Sequence, residues 1–131
     1  MDEKTAVEFK STGGIKRIFK ATEYSMKGFI GAWKNEAAFR QELALVLVLL
    51  PFALFLDVST LERIALIGVL ALVLIVELIN SAIEAAIDRI GVERHELSGR
   101  AKDLGSAAVF ITLTMVAYVW LAILGAKYIW N

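Results

Sequence analysis

The sequence predicts an all-α membrane protein, with one N-terminal amphipathic surface helix followed by three transmembrane helices. Three observations lead there. Of its residues 58% are hydrophobic, above the range usual for soluble domains, and they fall in blocks that give a mean hydropathy of +0.65. One block, Ala107 to Ala126, runs twenty residues without a charge. At about 1.5 Å per residue that length matches a hydrocarbon core of roughly 30 Å. The basic residues, finally, alternate along the chain as membrane orientation requires.

With 131 residues a single domain is expected. Residues 1–14 are polar, end in Gly13-Gly14, and read as a loose lead. From Ile15 the apolar positions Ile15, Ile18, Phe19, Met26, Phe29, Ile30 and Trp33 keep helical spacing, with Lys16, Arg17, Lys20, Lys27 and Lys34 on the remaining surface. A basic amphipathic helix over 15–35 is expected in the headgroup plane; the alternative packs it against a soluble partner. The first span, 37–56, is built on fourteen apolar residues from Leu43 to Leu56 and tolerates Pro51 as a kink. The second, 64–88, starts with thirteen residues free of polar side chains, Ile64 to Val76. The third, 106–128, is followed by Trp130, which with Tyr128 suits an interfacial anchor.

The segment up to Arg40 carries eight basic residues (Lys4, Lys10, Lys16, Arg17, Lys20, Lys27, Lys34, Arg40), whereas the first loop has only Arg63. Arg89, Arg94, Arg100 and Lys102 mark the second connection, and Lys127 alone the far end. That pattern predicts a cytoplasmic N-terminus and an outer C-terminus. No signal peptide is expected, since no apolar run occurs in the first forty residues. The absence of cysteine excludes disulfide and thiolate chemistry. Neither a Walker A motif nor a G-x-G-x-x-G loop occurs, so a nucleotide, if used, is not held as in soluble kinases.

The informative stretch is "ELINSAIEAAID", Glu77 to Asp88. At about 100° per residue, Asn80, Ser81, Glu84 and Asp88 fall at about −60°, +40°, −20° and +20° from Glu77, one stripe on an otherwise apolar helix. Facing lipid, each acid would cost several kcal/mol. An interhelical seam accounts for Asn80 and Ser81, but acids are an expensive way to join helices. Two carboxylates on one face can instead divide labour between general base and Mg²⁺ ligand. Arg100 and Lys102, with Arg94 and His95 nearby, supply cations for phosphate, although such a cluster also serves as a positive-inside flank. A second cluster, "NEAAFRQE", holds Asn35, Glu36, Arg40, Gln41 and Glu42, which places Glu36 at the same interface, able to share a metal with Glu84.

"EAAFRQE", "VELINSAIEAAIDRI" and "HELSGRAKDLGSAAV" together resemble the prokaryotic integral-membrane diacylglycerol kinase family, over roughly residues 15–126. The resemblance implies a homotrimer in the bacterial inner membrane, with composite active sites between protomers near the cytoplasmic face. It implies transfer of the ATP γ-phosphate to the primary hydroxyl of diacylglycerol, giving phosphatidic acid. By motif, Glu77 matches the proton acceptor, and Glu36 and Glu84 match ligands of Mg²⁺. Asn80, Lys102 and Asp103 match polar site residues, Glu93, Arg94 and His95 part of the nucleotide pocket, and Arg17 and Tyr24 further nucleotide contacts. Arg94 departs from the family pattern, where an aromatic is expected. Similar three-span kinases act on undecaprenol, though "HELSGRAKD" looks more like the diacylglycerol branch. A non-enzymatic membrane oligomer lined by Glu77 and Glu84 is the reading from another class. No nucleic-acid partner is expected.

Overall fold

Residues at the helix ends, more than the apolar runs, set where each element starts and stops. A computed structural model describes Glu3 and residues 13–130; most of the expected N-terminal lead lies outside the described residues. The first helix, α1, spans Gly14–Asn35. Gly14 enters it at φ 64°, a left-handed conformation that glycine adopts without penalty. The apolar side chains of α1 lie within about 60° of Ile15 and its basic ones between about 100° and 200°. Ile15, Ile18, Phe19, Phe29, Ile30 and Trp33 are exposed, the arrangement a helix lying in the headgroup plane uses. The Thr22 and Ser25 hydroxyls donate to carbonyls one turn back, at 3.0 and 2.9 Å, and Lys27 pairs with Glu23 at 3.1 Å. At Glu36 the backbone becomes extended (φ −117°, ψ 104°) and α1 stops.

Contacts divide the chain into two units, Met1–Glu36 and Ala37–Asn131. The second unit contains α2 (Ala37–Phe55), α3 (Thr60–Ile90) and α4 (Glu96–Tyr128), each long and apolar enough to cross a membrane. The described residues contain no strand, so the chain is the all-α membrane protein that its hydropathy predicts.

The spans expected at 64–88 and 106–128 lie inside longer helices, because caps terminate a helix and hydropathy does not. At the start of α3 a capping box operates. The Ser59 side chain accepts from the Glu62 N–H, and the Glu62 carboxylate accepts from the Ser59 N–H, each at 3.1 Å. Gly91 ends α3 with extended backbone, and His95 Nδ1 caps α4 by accepting the Leu97 N–H at 3.1 Å. The 31 residues of α3 measure about 46 Å, well beyond a roughly 30 Å hydrocarbon layer. Its last turns therefore reach into the polar interface.

Helix α3 is central, with α2 and α4 both packed on it. Its buried residues Leu66, Val69, Leu70, Val73, Glu77, Asn80 and Ser81 recur at three- and four-residue spacing, one continuous face. Val46 and Ala53 of α2, with Val116 and Trp120 of α4, complete the core. Lipid is as apolar as leucine, so packing and interhelical bonds hold such helices together. One such bond is buried: the Trp120 indole N–H donates to the Leu66 carbonyl at 3.3 Å.

Arg63 fastens the α2–α3 turn. Its guanidinium donates to the carbonyls of Ala53 and Leu54 at 2.7 Å each and of Leu56 at 3.1 Å, groups that the end of α2 leaves without helical partners. Arg63→Ala should therefore lower the unfolding free energy by about 1.5–3 kcal/mol, read by denaturant titration in detergent micelles. Arg63→Lys should recover only part of it, since an ammonium lacks the planar fork. Unchanged stability in the alanine variant would mean that water serves these carbonyls equally well.

Candidate functional site

The polar stripe on α3 runs from the core to the surface. Glu77 is 2% exposed and Asn80 8%, Glu84 is half-buried, and Asp88 is exposed. Each glutamate is held by a side chain on the same helix. Ser81 Oγ donates to Glu77 Oε1 at 3.3 Å, and Asn80 Nδ2 donates to Glu84 Oε1 at 3.4 Å. From α4, Gly105 lies directly against the Asn80 amide, where a Cβ would collide with Oδ1. That Oδ1 is buried with no hydrogen-bond partner among the described residues.

A further acid belongs to this site and was given no role by its sequence context. Glu42 of α2 is 7% exposed, and α2 packs on the helix that carries Glu77. Its Oε2 is buried without a partner among the described residues. The signal was present: Glu42 is the last acid before the apolar run, so α2 has to bury or snorkel it. Two carboxyl groups buried away from water in one helix bundle are costly, and no helix contact needs them both.

Beyond Glu84 the stripe opens into a cavity of about 490 Å³ at the turn between α3 and α4, a size that small ligands fill. Asp88, Glu93, Arg94, His95, Ser98 and Lys102 line it. Lys102 Nζ pairs with Asp88 Oδ1 at 2.8 Å across the two helices. Asp103 is exposed and does not line the cavity. The structure thus brings together Glu77, Asn80 and Glu84 on one face and Glu93, Arg94, His95 and Lys102 around one cavity. Arg17, Tyr24 and Glu36 belong to the other unit: Arg17 and Tyr24 two turns apart on α1, Glu36 at its end.

The donor set suits a hard cation. Mg²⁺ is usually bound through one or two carboxylates, with water and substrate phosphates completing an octahedron. Glu84 offers a carboxylate whose Oε1 is already oriented by Asn80. Among the described residues no group of three or more His, Asp or Glu side chains could cage an ion alone.

Known proteins resemble this chain over most of its length. The family model for prokaryotic diacylglycerol kinase matches residues 23–124. A Pseudomonas aeruginosa protein named diacylglycerol kinase is 55% identical over 116 residues, 88% of this chain and 94% of its own. Proteins of the same name from Escherichia coli and Haemophilus influenzae are 52% identical over 118 residues and 50% over 113. These cover 90% and 86% of this chain, and 97% and 96% of theirs.

Because burying the Glu77 carboxyl works against the fold, Glu77→Gln should leave stability unchanged or raise it by about 1 kcal/mol, measured by unfolding in micelles. A fall of more than about 2 kcal/mol would make the carboxylate a structural element.

Proposed function

The chain belongs to the prokaryotic diacylglycerol kinase family, and on that premise we propose that it transfers the γ-phosphate of ATP to the primary hydroxyl of diacylglycerol, giving phosphatidic acid and ADP. One observation carries the reading. Glu77 is buried at the core end of a stripe that leads along α3 to the Asp88–Lys102 cavity. A lipid hydroxyl arriving from the bilayer meets a carboxylate there, while a nucleotide arriving from water meets cations.

Phosphoryl transfer asks a protein mainly to position groups and balance charge. Glu77 takes the proton of the hydroxyl as its oxygen attacks the γ-phosphorus. The bond from that phosphorus to the β–γ bridging oxygen breaks, and ADP leaves with the electron pair. Lys102, held by Asp88 until the nucleotide binds, balances charge on the transferring group. Glu36 and Glu84 would hold Mg²⁺, which when bound neutralises the β- and γ-phosphates. Glu93, Arg94 and His95 shape the nucleotide pocket, with Arg17, Tyr24 and Asp103 as further polar contacts. Asn80 orients the Glu84 carboxylate.

The working form is a homotrimer with sites shared between protomers. Exposed Leu47, Val48, Phe52, Phe110, Ile111 and Leu121 give α2 and α4 apolar faces suited to lipid and to sister chains. The charge alternation orients it in the inner membrane with the N-terminus and the active site cytoplasmic.

Labelled ATP with Mg²⁺, offered diacylglycerol and undecaprenol separately in mixed micelles, tests this. Labelled phosphatidic acid is expected; label on undecaprenol alone would keep the mechanism and change the substrate. Labelling of neither lipid would discard the kinase reading. In the same assay Glu77→Gln should lower kcat by roughly 10²–10⁴-fold. Lys102→Met should act chiefly on KM for ATP, and an unaltered ATP dependence would remove Lys102 from the site.

A further inference from the structure

An added Cβ would strike a neighbour at two of the chain's glycines, Gly105 and Gly125. At Gly125 the neighbour is the ring of Trp130, an exposed side chain at the end of the chain that can swing away. At Gly105 it is the Asn80 amide, which cannot turn away without losing its bond to Glu84. Asn80 is buried between α3 and α4, its rotamers are restricted by its own helix, and its Nδ2 is engaged with Glu84 Oε1 at 3.4 Å. The Oδ1 end takes no hydrogen bond from the described residues; it rests on the bare Cα of Gly105. A C–H···O contact of that kind is weak, so what fixes the amide is its bond to Glu84 together with the close approach of α4 at Gly105.

We propose that Gly105 is a positioning residue for the divalent cation of the reaction. By letting α4 press on the Asn80 amide, it aims Nδ2 at Glu84 and so presets the carboxylate that takes the metal. The inference rests on the reading of Glu84 as a Mg²⁺ ligand. Groups that orient a metal's ligands typically contribute 10–100-fold in affinity. A methyl group at position 105 forces the amide to rotate and removes the Nδ2 bond, leaving Glu84 in place but unaimed. Removing the Asn80 side chain leaves nothing for that methyl group to strike.

Wild type, Gly105→Ala, Asn80→Ala and the double variant would be purified in detergent and titrated with Mn²⁺ in the presence of a non-hydrolysable ATP analogue. Free and bound metal are distinguished by electron paramagnetic resonance, and thermal unfolding monitors the fold. Gly105→Ala should weaken Mn²⁺ binding roughly 10-fold, Asn80→Ala about as much, and the double variant no more than Asn80→Ala. The Mg²⁺ concentration for half-maximal turnover should move in parallel. Unchanged Mn²⁺ affinity in a folded Gly105→Ala protein overturns the inference, as does a double variant weaker than Asn80→Ala by the full Gly105→Ala factor. Should Gly105→Ala not fold, the comparison of the double variant with Asn80→Ala decides alone. A wild type that neither binds Mn²⁺ nor needs Mg²⁺ overturns the assignment of Glu84 itself, an outcome separable from failure of the Gly105 contact.

Discussion

Carboxyl groups held at bilayer depth, on one face of one helix, are the constraint from which the rest of the second unit follows. Glu77 cannot face lipid without a cost of several kcal/mol, so the helix that carries it must be the one its neighbours cover. That is why α3 is central and why α2 and α4 both pack on it. The same face that buries Leu66, Leu70 and Val73 buries Glu77 and Asn80 further along. Small residues then become necessary where the polar groups lie: Ser81 beside Glu77 and Gly105 against Asn80 let helices close over the stripe without expelling it.

The two ends of this unit are built differently. At one, Arg63 ties together the carbonyls that end α2, while Ser59 and Glu62 close the first turn of α3. The bonds there go to backbone groups that the helix ends leave without helical partners, and the result is a fixed corner. At the other, α3 and α4 run past the hydrocarbon layer and are joined by the short segment around Gly91 to His95, with charged side chains around a cavity. The Asp88–Lys102 pair there is largely exposed and holds little stability by itself, which leaves its members free to exchange partners. Helix length thus separates a rigid end from an end suited to chemistry.

Much of this was legible in the chain. The polar stripe follows from the 3.6-residue period alone, because an α-helix converts spacing into direction without reference to anything else. The three spans and their alternating basic flanks follow from hydropathy and charge. Cap positions were legible in part: Ser59-x-x-Glu62 is a local signal, whereas His95 as the cap of α4 follows from no preference of its residue type. The roles of Arg63 and Gly105 were not legible, since each depends on what a different helix places opposite it, while for Glu42 only the need to bury or snorkel it was.

What the sequence determined by itself is therefore everything that one helix can decide alone: which segments are helical, which are apolar enough to leave water, and that Glu77, Asn80, Ser81, Glu84 and Asp88 share a face. Tertiary structure decided which of those groups are buried, that Glu42 is buried with them, that Lys102 reaches Asp88, and that the Asn80 amide has a glycine at its back. The physical reason is that period and hydropathy are properties of consecutive residues. Burial and collision belong to pairs brought together from separate helices, and only the packing of α2 and α4 on α3 selects those pairs.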